Sequence, residues 1–224
     1  MIEMQPVLEV FPPEEFTLWP VAWSEPSGYL PLGGTLGPIE VGTAVMRLAE
    51  ANDVDPEDAR PPRPDDAPGA FLHGLLTMEP LFAPGGLRVI DTATGTAVVP
   101  GCCSGIEEWR EWFMLVDGHT WTPYLGHDPD PLAERHGDIV RLIVDAERDD
   151  SPVIELPVAD LRRLLADTER DLIAFHAWPP RGPSGTSPPT LPRSLPPSPA
   201  HWTYCPRLKP ADRTGDFGMD LPRP

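Results

Sequence analysis

Proline is the residue that most limits how this chain can fold, because 33 of its 224 residues are proline. A proline lacks a backbone donor, so it interrupts helix interiors and the central strands of sheets. After residue 178 the prolines are accompanied by no periodic apolar pattern, which favours extended or disordered chain. The sequence therefore predicts one folded domain over residues 1–178, best ordered over 70–178, and a disordered Pro-rich tail over 179–224.

Runs of β-branched and apolar residues predict two β-hairpins. Leu87–Asp91 and Thr96–Val99 flank a short turn, and Ile139–Asp145 and Val153–Leu156 flank a charged connection. A further strand or buried extended segment is predicted over Phe16–Trp23. We expect it at a sheet edge, because it contains a proline.

Three segments have apolar residues at helical spacing. A short amphipathic helix is predicted over residues 40–52. A second is predicted over 105–117, where Ser104 and Glu107 match the capping box that precedes many helices. The third and strongest begins at Pro157, because proline suits a first helical turn, and it ends before a double proline.

Hairpins and helices together predict the α+β class, with antiparallel hairpins packed against two main amphipathic helices. The connection over residues 52–69 combines acidic residues, prolines and a glycine. Such a composition is typical of a surface loop. No internal repeat interrupts this single-domain pattern.

The formal charge of −18 limits the classes of partner. A surface this acidic repels nucleic-acid phosphates and anionic lipid, so the sequence predicts neither a nucleic-acid partner nor a membrane partner. A basic protein is the partner that such a charge favours. The chain begins without the pattern of a secretory signal. It has three cysteines, and a small odd number does not indicate a disulfide framework. We therefore expect a cytoplasmic protein.

Cys102 and Cys103 come directly before the helix predicted over residues 105–117. The unsatisfied amides at a helix start can lower the pKa of a thiol, so one hypothesis makes Cys103 a catalytic nucleophile with His127 as its base. The alternative interpretation is that both cysteines are small buried side chains packed between a strand end and the helix. We favour burial, because no phosphatase or C-x-x-C motif accompanies the pair.

A metal site and a nucleotide site are both predicted to be absent. The candidate ligands for a metal are Cys102, Cys103, His119, His127, Asp128, Asp130 and His136, but their spacing matches no zinc or calcium motif. The glycine-rich loops that bind nucleotide phosphates do not occur in the sequence. The sequence therefore predicts no metal and no cofactor.

A surface for binding another protein is the other candidate site. Glu108 and Glu111 occupy the polar side of the predicted helix, and Trp112 lies at the margin of its apolar stripe. A tryptophan in that position is either the edge of the core or an exposed anchor of a protein interface. We assign these three residues to a candidate binding surface.

Residues 101–118, "GCCSGIEEWREWFMLVDG", followed by "LGHDP", resemble a pattern found in small actinobacterial proteins that have no known activity. The resemblance covers roughly residues 70–178 and implies the same domain boundary. In its size, acidity and alternation of hairpins and helices the chain also resembles the immunity proteins that neutralise bacterial toxins. The sequence therefore favours a non-catalytic, acidic protein-binding module, an immunity or regulatory protein, with a thiol-dependent enzyme as the alternative.

Overall fold

A computed structural model describes residues 1–12, 15–22, 28–53 and 61–177. They form an α+β protein, as the sequence predicts, with two antiparallel sheets and four α-helices. The predicted tail over residues 179–224 lies outside the described residues. Among the helices that the structure describes, none combines the length and hydrophobicity that crossing a membrane requires.

The first sheet has four strands in the order β2-β1-β3-β4. Their ranges are β1 Ile2–Glu9, β2 Tyr29–Pro31, β3 Gly85–Asp91 and β4 Thr96–Val98. The predicted hairpin of β3 and β4 is confirmed. The central strand β1 was not predicted, because it contains Pro6. That proline lies where the pairing with β2 begins, so its missing donor affects only the end of the ladder.

The second sheet has three strands in the order β5-β6-β7, namely Leu132–His136, Ile139–Ile143 and Val153–Pro157. The predicted hairpin of β6 and β7 is confirmed. Strand β5 was not predicted from the sequence. It contains charged residues and only a short apolar alternation, and its pairing with β6 is what stabilises it.

The four α-helices are α1 Pro38–Ala51, α2 Ala67–Thr77, α3 Phe113–Asp117 and α4 Val158–His176. The predictions for α1 and α4 are confirmed. Helix α2 begins inside the predicted loop, where Asp66 caps it by accepting a hydrogen bond from the Gly69 amide. Residues 16–22, the described part of the predicted segment, form no strand, so the strand interpretation is wrong. The Trp19 indole instead donates to the Gly42 carbonyl and fixes this segment against α1.

The helix predicted over residues 105–117 is divided. Ile106–Trp112 form a 3-10 helix of seven residues, and only Phe113–Asp117 are α-helical. The apolar stripe nevertheless packs as predicted, because Ile106, Trp109 and Val116 are all buried. They join one continuous hydrophobic core to which both sheets and helices α1 and α4 contribute.

Candidate functional site

The cysteine pair is on the surface. Cys102 and Cys103 are both exposed free thiols, whereas their neighbours Gly101 and Ser104 are buried. The predicted burial of the two cysteines is therefore wrong. The neighbouring small residue Gly101 does pack closely, through its backbone. The thiols of the two cysteines face outward.

A short antiparallel bridge brings His127 to the cysteines. The Cys102 amide donates to the His127 carbonyl at 2.6 Å, and the His127 amide donates to the Cys102 carbonyl at 3.1 Å. Residues paired in this way project their side chains to the same side of a sheet. The bridge therefore places the imidazole beside the thiols, although the two residues come from separate segments of the chain.

Cys103 has a left-handed backbone, with φ of 66°. Adjacent side chains of an extended strand point to opposite faces, which would separate two neighbouring thiols. The left-handed conformation turns the Cys103 side chain back toward its neighbour, and the two Sγ atoms lie 3.2 Å apart. Such a backbone is uncommon for a residue other than glycine, and it costs on the order of 1–3 kcal/mol.

Cys103, His127 and Asp128 form a chain of polar contacts. His127 Nδ1 lies 3.1 Å from Asp128 Oδ2, and a ring nitrogen of His127 lies within 4.8 Å of the Cys103 sulfur. Hydrogen bonds to Asp128 first, and then to Cys103, raise the pKa of His127. Hydrogen bonds from Cys102 first, and then from His127, lower the pKa of Cys103. The thiol of Cys103 is thus the more acidic of the pair, since the bond to Cys103 raises the pKa of Cys102.

Two glycines allow the two segments to meet. A Cβ atom added to Gly101 would lie 2.5 Å from the His127 nitrogen and 2.5 Å from the Pro129 oxygen. One added to Gly126, whose φ is 94°, would collide with the backbone of Gly101. The approach of the two backbones therefore depends on the absence of side chains at both positions.

The predicted capping box does not form. The Ser104 hydroxyl donates to the carbonyls of Gly85 and Gly101, each at 2.8 Å, and so ties the cysteine segment to β3. Glu107 Oε2 accepts a hydrogen bond from the Ala83 amide at 3.1 Å. The helix that follows the cysteines is a short 3-10 helix, so a strong helix dipole cannot account for the acidity of Cys103.

Burial raises the pKa of the Glu107 carboxyl to about 7, although the Ala83 amide opposes this change. A raised pKa in the folded state gives stability that is fully present below pH 4.5 and is lost as pH rises to about 7. At about 1.4 kcal/mol per pKa unit, the loss amounts to at most about 3 kcal/mol.

Glu107→Gln should therefore stabilise the protein at pH 8 relative to the wild type, by up to about 3 kcal/mol more than it does at pH 5. The amide oxygen keeps the contact with Ala83 and carries no charge. Urea unfolding of both proteins at both pH values measures this difference. The exposed Glu147→Gln is the control and should give the same small effect at pH 5 and pH 8. A Glu107→Gln effect that does not change with pH would contradict the prediction.

The predicted binding surface is only partly exposed. Glu108 and Glu111 are partly exposed, but Trp112 is only 3% exposed and belongs to the core. The prediction that Trp112 anchors a partner is therefore wrong, because the 3-10 turn rotates its ring inward. Trp112 instead lines a small surface pocket together with Ser104, Glu108 and Tyr124. Cys103 is not among the residues that line this pocket.

Of the other candidate metal ligands, Asp128 contacts His127, and the metal-binding group does not include His119, Asp130 or His136. His136 Nε2 lies 3.3 Å from Glu134 Oε2 in strand β5. The ligand atoms of Cys102, Cys103 and His127 lie within 4.8 Å of one another, which makes them the one possible metal-binding group among the described residues. Sequence reasoning rejected this group on its spacing, because a bridge between distant segments leaves no spacing motif.

No protein-family model, curated protein or solved structure matches this chain. The geometry of the cluster of Cys102, Cys103, His127 and Asp128 is therefore the observation from which a function can be argued.

Proposed function

We propose that the protein is a thiol-dependent enzyme in which Cys103 is the nucleophile and His127 the base. The observation that carries this proposal is the position of the His127 ring, which has a nitrogen within 4.8 Å of the Cys103 sulfur and Nδ1 3.1 Å from Asp128 Oδ2. A nucleophile, a base and an acidic residue that orients the base form an arrangement that recurs on unrelated folds. The exposure of all three side chains gives a substrate access to the sulfur.

Acyl transfer is the reaction class that this arrangement serves. His127 takes the proton of Cys103, and the sulfur forms a bond to the carbonyl carbon of an ester or amide. The bond to the leaving group then breaks, and the leaving group takes the proton from His127. Water cleaves the resulting thioester, which releases the acid and restores the thiol.

The role of Asp128 follows from its contact with Nδ1 of His127. A carboxylate at this position holds the ring with Nδ1 protonated, so that Nε2 carries the lone pair that accepts a proton. It also stabilises the imidazolium that forms when the proton is transferred. Asp128 is accordingly a positioning residue.

The acidic binding module predicted from the sequence remains a prediction. The charge of −18 favours a basic partner, and Glu108 and Glu111 are partly exposed. Its aromatic anchor is lost, however, because Trp112 is buried. The enzyme proposal is supported by the specific geometry of the thiol site, so we prefer it to the binding module.

An activated ester tests the enzyme directly. With p-nitrophenyl acetate and a metal chelator present, we expect a rapid release of about one equivalent of nitrophenolate per chain and an acetyl group on Cys103. His127→Asn should slow this burst by about 100-fold, the usual size of a general-base contribution. Mass spectrometry locates the acetyl group.

His136→Asn is the matched control, because His136 also lies beside a carboxylate, that of Glu134, but does not belong to the group formed by the thiols and His127. It should leave the burst unchanged. Equal acetylation of Cys102 and Cys103, or a burst that survives His127→Asn, would overturn the proposal.

A further inference from the structure

The side chains of Cys102, Cys103 and His127 lie close enough to share one ion. We infer that they form a binding site for a divalent thiophilic cation of the Zn²⁺ class, which goes beyond the proposed enzyme activity. All three ligand atoms lie within 4.8 Å of one another. Thiolate sulfur and imidazole nitrogen are the donors that Zn²⁺ prefers in proteins.

The sulfur positions need little adjustment to hold such an ion. Two thiolates bound tetrahedrally at about 2.3 Å lie about 3.8 Å from each other. The two Sγ atoms are 3.2 Å apart, so small rotations about the side-chain bonds suffice. The left-handed backbone of Cys103 already places both sulfurs on the same side. This geometry is unusual for adjacent cysteines, and it is what a shared ion requires.

Asp128 orients the imidazole in the way that metal sites use. A ligating histidine usually donates its other ring N–H to a carboxylate, which fixes the ring and strengthens the metal bond. His127 Nδ1 lies 3.1 Å from Asp128 Oδ2. With Nδ1 protonated, Nε2 is the nitrogen with a lone pair for the ion.

The charges around the thiols favour a cation. The Asp128 carboxylate lies 3.1 Å from Nδ1 of His127, whose ring is one of the three proposed ligands. A divalent ion would compensate the negative charges of the two thiolates that bind it, and it would be attracted by this neighbouring carboxylate.

The three side chains supply three of the four ligands of a tetrahedral ion. All three are exposed, so water or a small ligand has access to the fourth position. Three protein ligands with an open position are typical of catalytic zinc and not of structural zinc. An ion bound to the Cys103 sulfur would also block its attack on an ester, so metal binding and acylation exclude each other.

Titration of the full chain with Cd²⁺ or Co²⁺ tests this inference without any substrate. We use Cys205→Ser as the background, which leaves Cys102 and Cys103 as the two cysteines. We expect one ion per chain, with the ultraviolet or visible charge-transfer absorption of metal–thiolate bonds. Zn²⁺ should displace Co²⁺, with loss of the visible band.

Cys102→Ser and Cys103→Ser should each weaken Cd²⁺ binding by at least about 100-fold, and Asp128→Asn by about 10-fold. His136→Asn is the control and should bind Cd²⁺ like the background protein. If the Cd²⁺ affinity of Cys102→Ser or of His127→Asn stayed within a few fold of that of the background protein, the inference would be overturned. The absence of a charge-transfer band would also overturn it. The ester assay is run with a chelator, so the enzyme and the metal site can fail separately.

Discussion

Gly101→Ala should destabilise the protein by about 3–5 kcal/mol, the range of severe single substitutions. Its added methyl group would lie 2.5 Å from the His127 nitrogen and the Pro129 oxygen, and 2.7 Å from the His127 oxygen. These are backbone atoms, which cannot move aside as the end of a side chain can. The two segments would have to separate, and the imidazole would leave the thiols.

Urea unfolding measures the loss of stability, and the nitrophenolate burst measures the loss of the site. Gly33→Ala is the matched control, because an added Cβ there meets no atom within 4 Å. We expect it to change stability by less than about 1 kcal/mol. A Gly101→Ala protein as stable as Gly33→Ala, with its burst intact, would show that the close approach is not needed.

Asn52→Ala should also cost about 3–5 kcal/mol. Asn52 is fully buried, and its side chain makes hydrogen bonds to the Leu48 carbonyl and to both the amide and the carbonyl of Phe82. Removing the amide leaves three backbone groups without their partner, one buried and two partly buried. Each costs about 1–3 kcal/mol when fully buried, and partial exposure and relaxation reduce this cost. Thermal or urea unfolding checks the value.

Thr94→Ala is the control for Asn52. Thr94 also makes several side-chain hydrogen bonds, but in an exposed turn where water can replace them. It should cost no more than about 1 kcal/mol. If the two substitutions had similar effects, the burial of Asn52 would not be what makes its hydrogen bonds important.

Asn52 also affects the cysteine site, because its hydrogen bonds hold the segment that contains Phe82 and Ala83. Phe82 is followed by Ala83, whose amide donates to Glu107 and whose carbonyl accepts from the Ile106 amide. The residues that follow the cysteines are thus attached to a segment anchored by α1. We expect Asn52→Ala to lower the burst amplitude under conditions in which the protein is partly unfolded, in proportion to the unfolded fraction.

The helices and strands predicted correctly from the sequence are those whose own residues show a clear helical or alternating apolar pattern. Helix α4 has apolar residues at regular helical spacing over Val158–His176, and the hairpin of β6 and β7 has clear alternation. Strand β1 pairs with β3, which is distant in the chain, and it contains a proline, so no local pattern indicates it. Strand β5 pairs with β6, the next strand along the chain, and it was missed because it contains charged residues and only a short apolar alternation.

The candidate site was predictable only in part. The hypothesis that paired Cys103 with His127 named the two residues that the fold brings together. Its stated reason, activation at a helix start, was wrong, because the helix after the cysteines is a 3-10 helix. The exposure of the thiols follows from the left-handed turn at Cys103 and from the packing of Gly101, and neither is visible in the sequence.

The two hydrogen bonds between Cys102 and His127 close a long excursion of the chain that connects the two sheets. The thiol–imidazole geometry therefore depends on a local equilibrium between a form with these two hydrogen bonds and a form without them. The hydrogen bonds can break while both sheets stay intact. Any ligand that joins the two ends shifts this equilibrium toward the closed form by mass action. Amide hydrogen exchange at Cys102 and His127 should accordingly slow when an ion binds, while exchange within β6 stays the same.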